Sequence, residues 1–410
     1  MTTRARRRER VASRSGSFFA LRVILVAMVR LLALVAVGFA CMLALGGFRD
    51  PPLAERHVVL VMIDGLRWQE VFRGVDDAFL TKERGLVEDP APILARFGGA
   101  SAEERRAKLM PFLWTTIAKD GVIWGNRDQG SKVEVTNGVF VSYPGYSETI
   151  CGFVDKSIDS NKKIVNPNRN VFEWMNGLDG FRGRVWVFGC WDVFPFIFGL
   201  PRSGLPVDDT MGPFAPPAGS PPVTPAIATV NRLRAEVPKR WPGGHFDGML
   251  QPIVTEWIPL AKPRALFVGF GETDEWAHES DYGHYLEAAR RADQYIAELW
   301  TLLQSMPEYR GTTTLIVTCD HGRGTNEAGP REWNNHNART IGSHEMWIAV
   351  LGPDTPALGC VQDGPKLEQA QIAATVARAV GLDWRQAEPR AKPPIAEAFG
   401  TAPAKPREPR

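Results

Sequence analysis

The sequence predicts an α/β fold: a doubly wound, mostly parallel sheet sandwiched by helices and broken by a Pro/Gly-rich insertion. Short, wholly apolar runs recur along the chain, as strands buried on both faces require. Helical patterns lie between them, and such alternation builds a parallel sheet. Each of the five runs is followed within four residues by an aspartate, and open α/β sheets bind ligands beyond the carboxyl ends of their strands.

The first run, His57-Val-Val-Leu-Val-Met-Ile63, ends in Asp64-Gly65. Arg184–Gly189 is followed by Cys-Trp-Asp, and Arg264–Phe270 by Gly-Glu-Thr-Asp274. Thr312–Cys319 leads into Asp320-His321-Gly322, and Met346–Leu351 into Gly-Pro-Asp354. Tyr285, Leu286, Ala289, Ile296, Leu299, Trp300 and Leu303 keep one helical face through residues 283–304. Residues 196–262, with GPFAPPAGSPPVTP, read as an insertion or cap over the sheet. The main domain is expected to span 55–385, and 386–410 to be a flexible tail.

A net charge of +2 excludes polyanion binding through bulk charge, and 44% hydrophobic with 23% charged residues is an ordinary globular balance. The N-terminus differs. RARRRER precedes a long apolar stretch whose uninterrupted part, Leu31–Gly47, falls short of the ~20 residues of a comfortable span. Ala44-Leu45-Gly46 offers a small-x-small cleavage site. Residues 1–48 are therefore expected to be a signal peptide or an uncleaved membrane anchor, placing the domain in the periplasm or outside the cell. The five cysteines include no C-x-x-C pair, which excludes a zinc–cysteine site.

Asp274 and His278 lie four apart, so one helical turn puts both on one face. Asp320-His321 closes a buried strand, and Asp64 closes another. Carboxylate and imidazole ligands without thiolate suit zinc, and also manganese and similar ions, in a catalytic site. Two such ions about 4 Å apart clamp the attacking and leaving oxygens of a phosphoryl transfer.

In order, VLVMIDGLR, VSYPGY, ETDEWAH, VTCDHGRG and a late histidine resemble the alkaline phosphatase superfamily, especially its nucleotide pyrophosphatase/phosphodiesterase-like branch. The resemblance covers roughly 55–385 outside the insertion. It implies an alkaline phosphatase-like fold, two divalent metal ions and a small phosphoester substrate. It implies that Asp64, Ser142, Asp320 and His321 attend one ion, and Asp274, His278 and a late histidine the other. His336 fits by its distance from the strand at Ile348, although Asn337 stands where glycine commonly follows; His344, in Gly-Ser-His, is the alternative. His284 is expected at a helix start, while His57 and His245 have no motif support.

VSYPGYSETICGF contains two serines. Ser147 sits in a broken G-x-S-x-G elbow, since Thr149 replaces the last glycine. Ser142 stands two before Pro144, as the resemblance implies for a nucleophile. Pro144 suits the first helical position, with Gly152 ending the helix and Ser142 just outside its N-terminus, where the helix dipole favours phosphate. Ser147 then packs within the helix. Asn161 resembles the branch's phosphoryl-binding asparagine, on a shorter spacer. Arg67 and Arg323 flank the metal motifs, or are surface charges.

The expected activity is phosphatase or phosphodiesterase, through a phospho-enzyme on Ser142. A sulfatase is the nearest alternative, but Tyr146 replaces the arginine of C/S-x-P-x-R. A phosphoryl-headgroup transferase of the same superfamily, or a degenerate exported binding protein, are the others.

Overall fold

A computed structural model describes residues 56–325 and 332–400 of the 410. The basic and apolar N-terminal segment lies outside them. Among the described residues no helix is long and apolar enough to cross a membrane.

The apolar runs are strands, as expected. β1 (His57–Ile63) is followed by β2 (Val122–Trp124), β3 (Val133–Glu134), β4 (Val185–Gly189), β5 (Val207–Asp208), β6 (Ala265–Phe270) and β7 (Thr313–Thr318). The last four are β8 (Glu345–Met346), β9 (Ile348–Leu351), β10 (Gly359–Cys360) and β11 (Leu367–Glu368). The main sheet runs β10-β2-β9-β7-β1-β6-β4-β5, and β9 alone runs against the other seven. Val58 to Ile63 are at most 2% exposed, because helices cover both faces of β1. Each such side chain contributes about 1.5–3 kcal/mol when fully buried, which is why β1 carries no polar alternation.

The expected strand 346–351 is divided. Met346 pairs with Val133 in a small sheet of order β11-β3-β8, while Ile348 pairs with Trp124 in the main one. Trp347 sits at the break, its indole N–H donating to the Leu66 carbonyl at 3.0 Å.

Five helices matter for the site or its support: α1 (Ser142–Cys151), α2 (Gln251–Ala261), α3 (Glu272–His278), α4 (Tyr282–Ser305) and α5 (Ile372–Ala379). α1 starts two residues earlier than expected. Val141 is its extended N-cap, so Ser142 is the first helical residue and Pro144 the third. Proline is tolerated throughout that first turn, whose N–H groups have no partner within the helix. Gly152 ends α1 with a left-handed φ of 85°. α4 buries the expected face, and Asp281 caps it by accepting the His284 N–H.

Two expectations need correction. Residues 196–262, expected as an insertion or cap over the sheet, also contribute to it: β5 extends the main sheet beside β4, and α2 buries Ile253, Val254, Trp257 and Ile258 before leading into β6. The expected flexible tail is packed as far as 400. Its polar, Pro-rich sequence hides the anchors Ile395, Ala398 and Phe399, all buried. The Ile395 N–H donates to Thr375 Oγ1 on α5, and the Gly400 N–H to the Asp354 carbonyl.

Candidate active site

Strand register brings the acidic residues together. Met62 pairs with Thr318 and Ile63 with Phe270, so Asp64 falls level with Asp320 on one side and Gly271 on the other. α3 begins directly after Gly271 and carries Asp274 and His278 on one face, with His278 Nε2 at 3.1 Å from Asp274 Oδ2. α1 comes in from the other side. Gly145 lets it lie against the end of β7, for a Cβ there would stand 2.4 Å from the Asp320 carbonyl. Gly65, at φ 58°, plays the same part for α3, since a Cβ would meet Asp274 Oδ1 at 2.7 Å.

His321 is the hub. Its Nε2 is 3.2 Å from Asp320 Oδ2, 3.5 Å from Asp64 Oδ1 and 3.3 Å from the Ser142 hydroxyl. Its Nδ1 faces the Gly322 carbonyl at 2.9 Å and must donate to it, so Nε2 carries a lone pair. His336 repeats the arrangement. Its Nδ1 donates to the Phe140 carbonyl at 2.9 Å, and its Nε2 faces Asp274 Oδ1 at 3.6 Å and His278 Nε2 at 3.0 Å. The two rings stack, 9° from parallel with centroids 3.7 Å apart. Two ligand groups result, Asp64–Asp320–His321 and Asp274–His321–His336, each with donor atoms within 4.8 Å of one another.

These residues fit divalent ions. Asp64 Oδ1 and Asp320 Oδ2 are buried without a hydrogen-bond partner. Such orphaned carboxylate oxygens, facing imidazole lone pairs, are costly unless a cation lies between them. Burial, with the Asp320 and Asp274 charges, pushes the Asp64 carboxyl well above its usual range. Burial also raises Asp320, against the Gly65 N–H that stabilises its charged form at 3.0 Å. Burial opposes ionisation of Asp274 too, but Arg323, His278 and His336 outweigh it and hold that carboxyl well below the carboxylate range. Burial and the neighbouring His336 lower His321, and burial lowers His336 to about 4, so both imidazoles are neutral, the form that can bind a metal.

The predicted site residues lie together here, although His278 is outside the two ligand groups and reaches them through His336 Nε2 at 3.0 Å and Asp274 Oδ2 at 3.1 Å. Ser142 is 4% exposed, and its hydroxyl points to His321. The α1 N-terminus offers fewer amides than expected, because Pro144 has none and the Tyr143 N–H donates to Asn161 Oδ1 at 2.9 Å. That bond turns the Asn161 amide so that its NH2 is left as a donor at the cavity Asn161 lines. His344 stays outside the ligand groups and packs beside Phe140. Ser147 is a packing residue, its hydroxyl accepting from Asn166 at 3.1 Å.

Several site residues escaped sequence reasoning. Tyr146 donates its hydroxyl to Asp64 Oδ2 at 3.0 Å, and its spacing of four from Ser142 is a signal that helical periodicity carries. Arg323 is no surface charge; it is buried, with Nη2 2.6 Å from Asp274 Oδ1. Arg67 is buried against Glu70. The cavity, of about 200 Å³, is also lined by Cys190, Trp191, His245 and Glu275, which no motif marked.

The backbone is similar to several solved structures. The lipoteichoic acid synthase LtaP from Listeria monocytogenes gives a TM-score of 0.48 at 10% identity, over 84% of this chain and 74% of that one. Murine ectonucleotide pyrophosphatase/phosphodiesterase 5 gives 0.45 at 12%, over 84% and 100%. The phosphonate monoester hydrolase of Silicibacter pomeroyi gives 0.45 at 14%, over 80% and 73%. No curated protein matches the chain in sequence. The model of the type I phosphodiesterase/nucleotide pyrophosphatase family matches residues 152–370, a span that holds Asn161 and every metal-ligand candidate except Asp64 and Ser142. With more than half of its length matched, the chain belongs to the type I phosphodiesterase/nucleotide pyrophosphatase family.

Proposed function

We propose that the protein is a two-metal phosphoester hydrolase with Ser142 as nucleophile. Family membership supports phosphoester hydrolysis or transfer. The observation that carries the finer reading is the convergence of Asp64 Oδ1, Asp320 Oδ2 and the Ser142 hydroxyl on the unprotonated His321 Nε2.

Asp64, Asp320 and His321 would hold one divalent ion, and Asp274, His278 and His336 the second, with zinc suited to the set. Bound there, the ions supply positive charge that acidifies a serine hydroxyl and neutralises a phosphoryl group. The chain's own groups do the rest. Ser142 gives up its hydroxyl proton to water and its Oγ attacks phosphorus in line; the P–O bond to the organic group breaks, that group leaves as an alkoxide that takes a proton from water, and a phosphoserine forms. The Asn161 NH2 donates to a phosphoryl oxygen. Tyr146 holds Asp64 by its far oxygen, leaving Oδ1 facing His321. Water then displaces Ser142 from phosphorus and restores the hydroxyl.

The test is metal content and turnover of a phosphate monoester, a phosphodiester and a sulfate ester by wild type and Ser142→Ala. Two divalent ions per chain and a loss of at least ~1,000-fold in Ser142→Ala are expected. Full activity in that variant, preference for the sulfate ester, or no bound metal sinks the reading.

A further inference from the structure

The cavity wall opposite the ligand groups is built by two short segments. Trp191 and Gly244 form an antiparallel bridge, the Asp192 N–H donates to the Gly243 carbonyl at 2.8 Å, and the His245 N–H to the Cys190 carbonyl. This lip brings His245 to the cavity that Glu275 also lines. His245 is 2% exposed, and its Nδ1 accepts the Phe246 N–H at 2.9 Å. A neutral ring bonded in that way carries its proton on Nε2, a donor that is buried without a partner. Burial, with Lys239 and Arg234, lowers the His245 pKa, so the ring stays neutral. Glu275, from α3, lines the same cavity, and its Oε1 lies 2.8 Å from where a Gly244 Cβ would stand, one residue before His245.

We propose that the His245 Nε2–H and the Glu275 carboxyl together read a hydroxyl on the organic group of the phosphoester, so that the substrate class is small hydroxylated alkyl phosphates. The proposal rests on the phosphoester reading of the site. A hydroxyl accepts from His245 and donates to Glu275 at once. An ammonium satisfies Glu275 but leaves the His245 donor buried and unpaired, and an anion is repelled by Glu275. A methyl group satisfies neither. Size agrees: about 200 Å³ is below the roughly 300–1,000 Å³ of sites for drug-sized ligands, and it suits a glycerol-sized group.

The test uses metal-loaded enzyme and three diesters with the same leaving group: para-nitrophenyl glyceryl, propyl and aminoethyl phosphate, with glyceryl and propyl monophosphate beside them. A glyceryl-over-propyl ratio of roughly 10- to 100-fold in kcat/KM is expected for wild type. The ratio should fall towards one in His245→Phe and in Glu275→Gln, and His245→Gln, which keeps an N–H, should recover part of it. The ratio is independent of how much of a variant folds. Equal turnover of glyceryl and propyl esters by wild type, preference for the aminoethyl ester, or ratios unchanged in the variants overturns the hydroxyl-reading pair and leaves the hydrolase standing. Failure to cleave any of the esters overturns both.

Discussion

At the scale of single residues, the tautomers decide what the site can bind. His321 and His336 each spend Nδ1 on a backbone carbonyl, so both Nε2 atoms keep a lone pair free for an ion. Second-neighbour bonds of this kind typically alter metal affinity 10- to 100-fold. The choice between the two late histidines follows from the same geometry. His336→Ala is expected to lose one ion per chain in a metal assay of the purified protein, and His344→Ala to keep both. Loss confined to His344→Ala would reverse the assignment. Asp64, Asp320 and His321 were legible because an apolar strand rarely stops at such residues without a polar task. His245 was not, since a lone histidine in a Pro/Gly-rich stretch acquires its surroundings only when 243–246 pairs with 190–192.

At the scale of elements, α1 must be held at the right height over β7. Glu148, on its second turn, takes the Thr136 N–H on both carboxyl oxygens at 3.0 Å and the Thr136 hydroxyl at 2.7 Å, tying α1 to the segment after β3. Burial raises its pKa to about 7, although the Thr136 bonds pull it down. The folded state therefore holds this proton more tightly than the unfolded chain. Its contribution to stability is full below the unfolded-chain value of 4.5 and is lost as pH rises through about 7. Urea midpoints at about pH 5 and about pH 8 should drop with rising pH in wild type and drop less in Glu148→Gln. An equal drop in both would remove Glu148 as a source. The two-residue strands β5, β10 and β11 had no readable signal, being too short for periodicity. The direction of β9 was equally hidden, because a buried run reads the same in either sense. The packed stretch 386–400 was missed because composition weighs its prolines and charges above the few anchors that hold it.

At the scale of the whole molecule, the proposed ligands, Ser142 apart, sit on the three central strands, β1, β6 and β7, or on the segments that leave them. Ion binding therefore couples to global unfolding, not to the fraying of a loop. A ligand present at 1,000 times its dissociation constant stabilises by about 4 kcal/mol. Chelation should lower the melting temperature by several degrees, and added zinc or manganese should restore it in a concentration-dependent way. Asp320→Asn should abolish most of that response; a melting temperature indifferent to chelator in wild type would argue that the acidic cluster folds without an ion. The central strands were predictable because burial on both faces leaves a continuous apolar record, and the flanks were not because they are half solvated.

The place of β1 has a consequence for how the chain is made. Among the described strands it is the first to be synthesised, yet both its neighbours, β6 and β7, come far later in the sequence. Until Thr318 has emerged, one edge of an almost wholly apolar strand stays open, and open apolar edges invite pairing with other chains. Such long-range parallel pairing is slow and exposed to aggregation. Closure of that edge and assembly of the Asp64–Asp320–His321 group are one event, since the strand that covers β1 is the one that delivers Asp320 and His321.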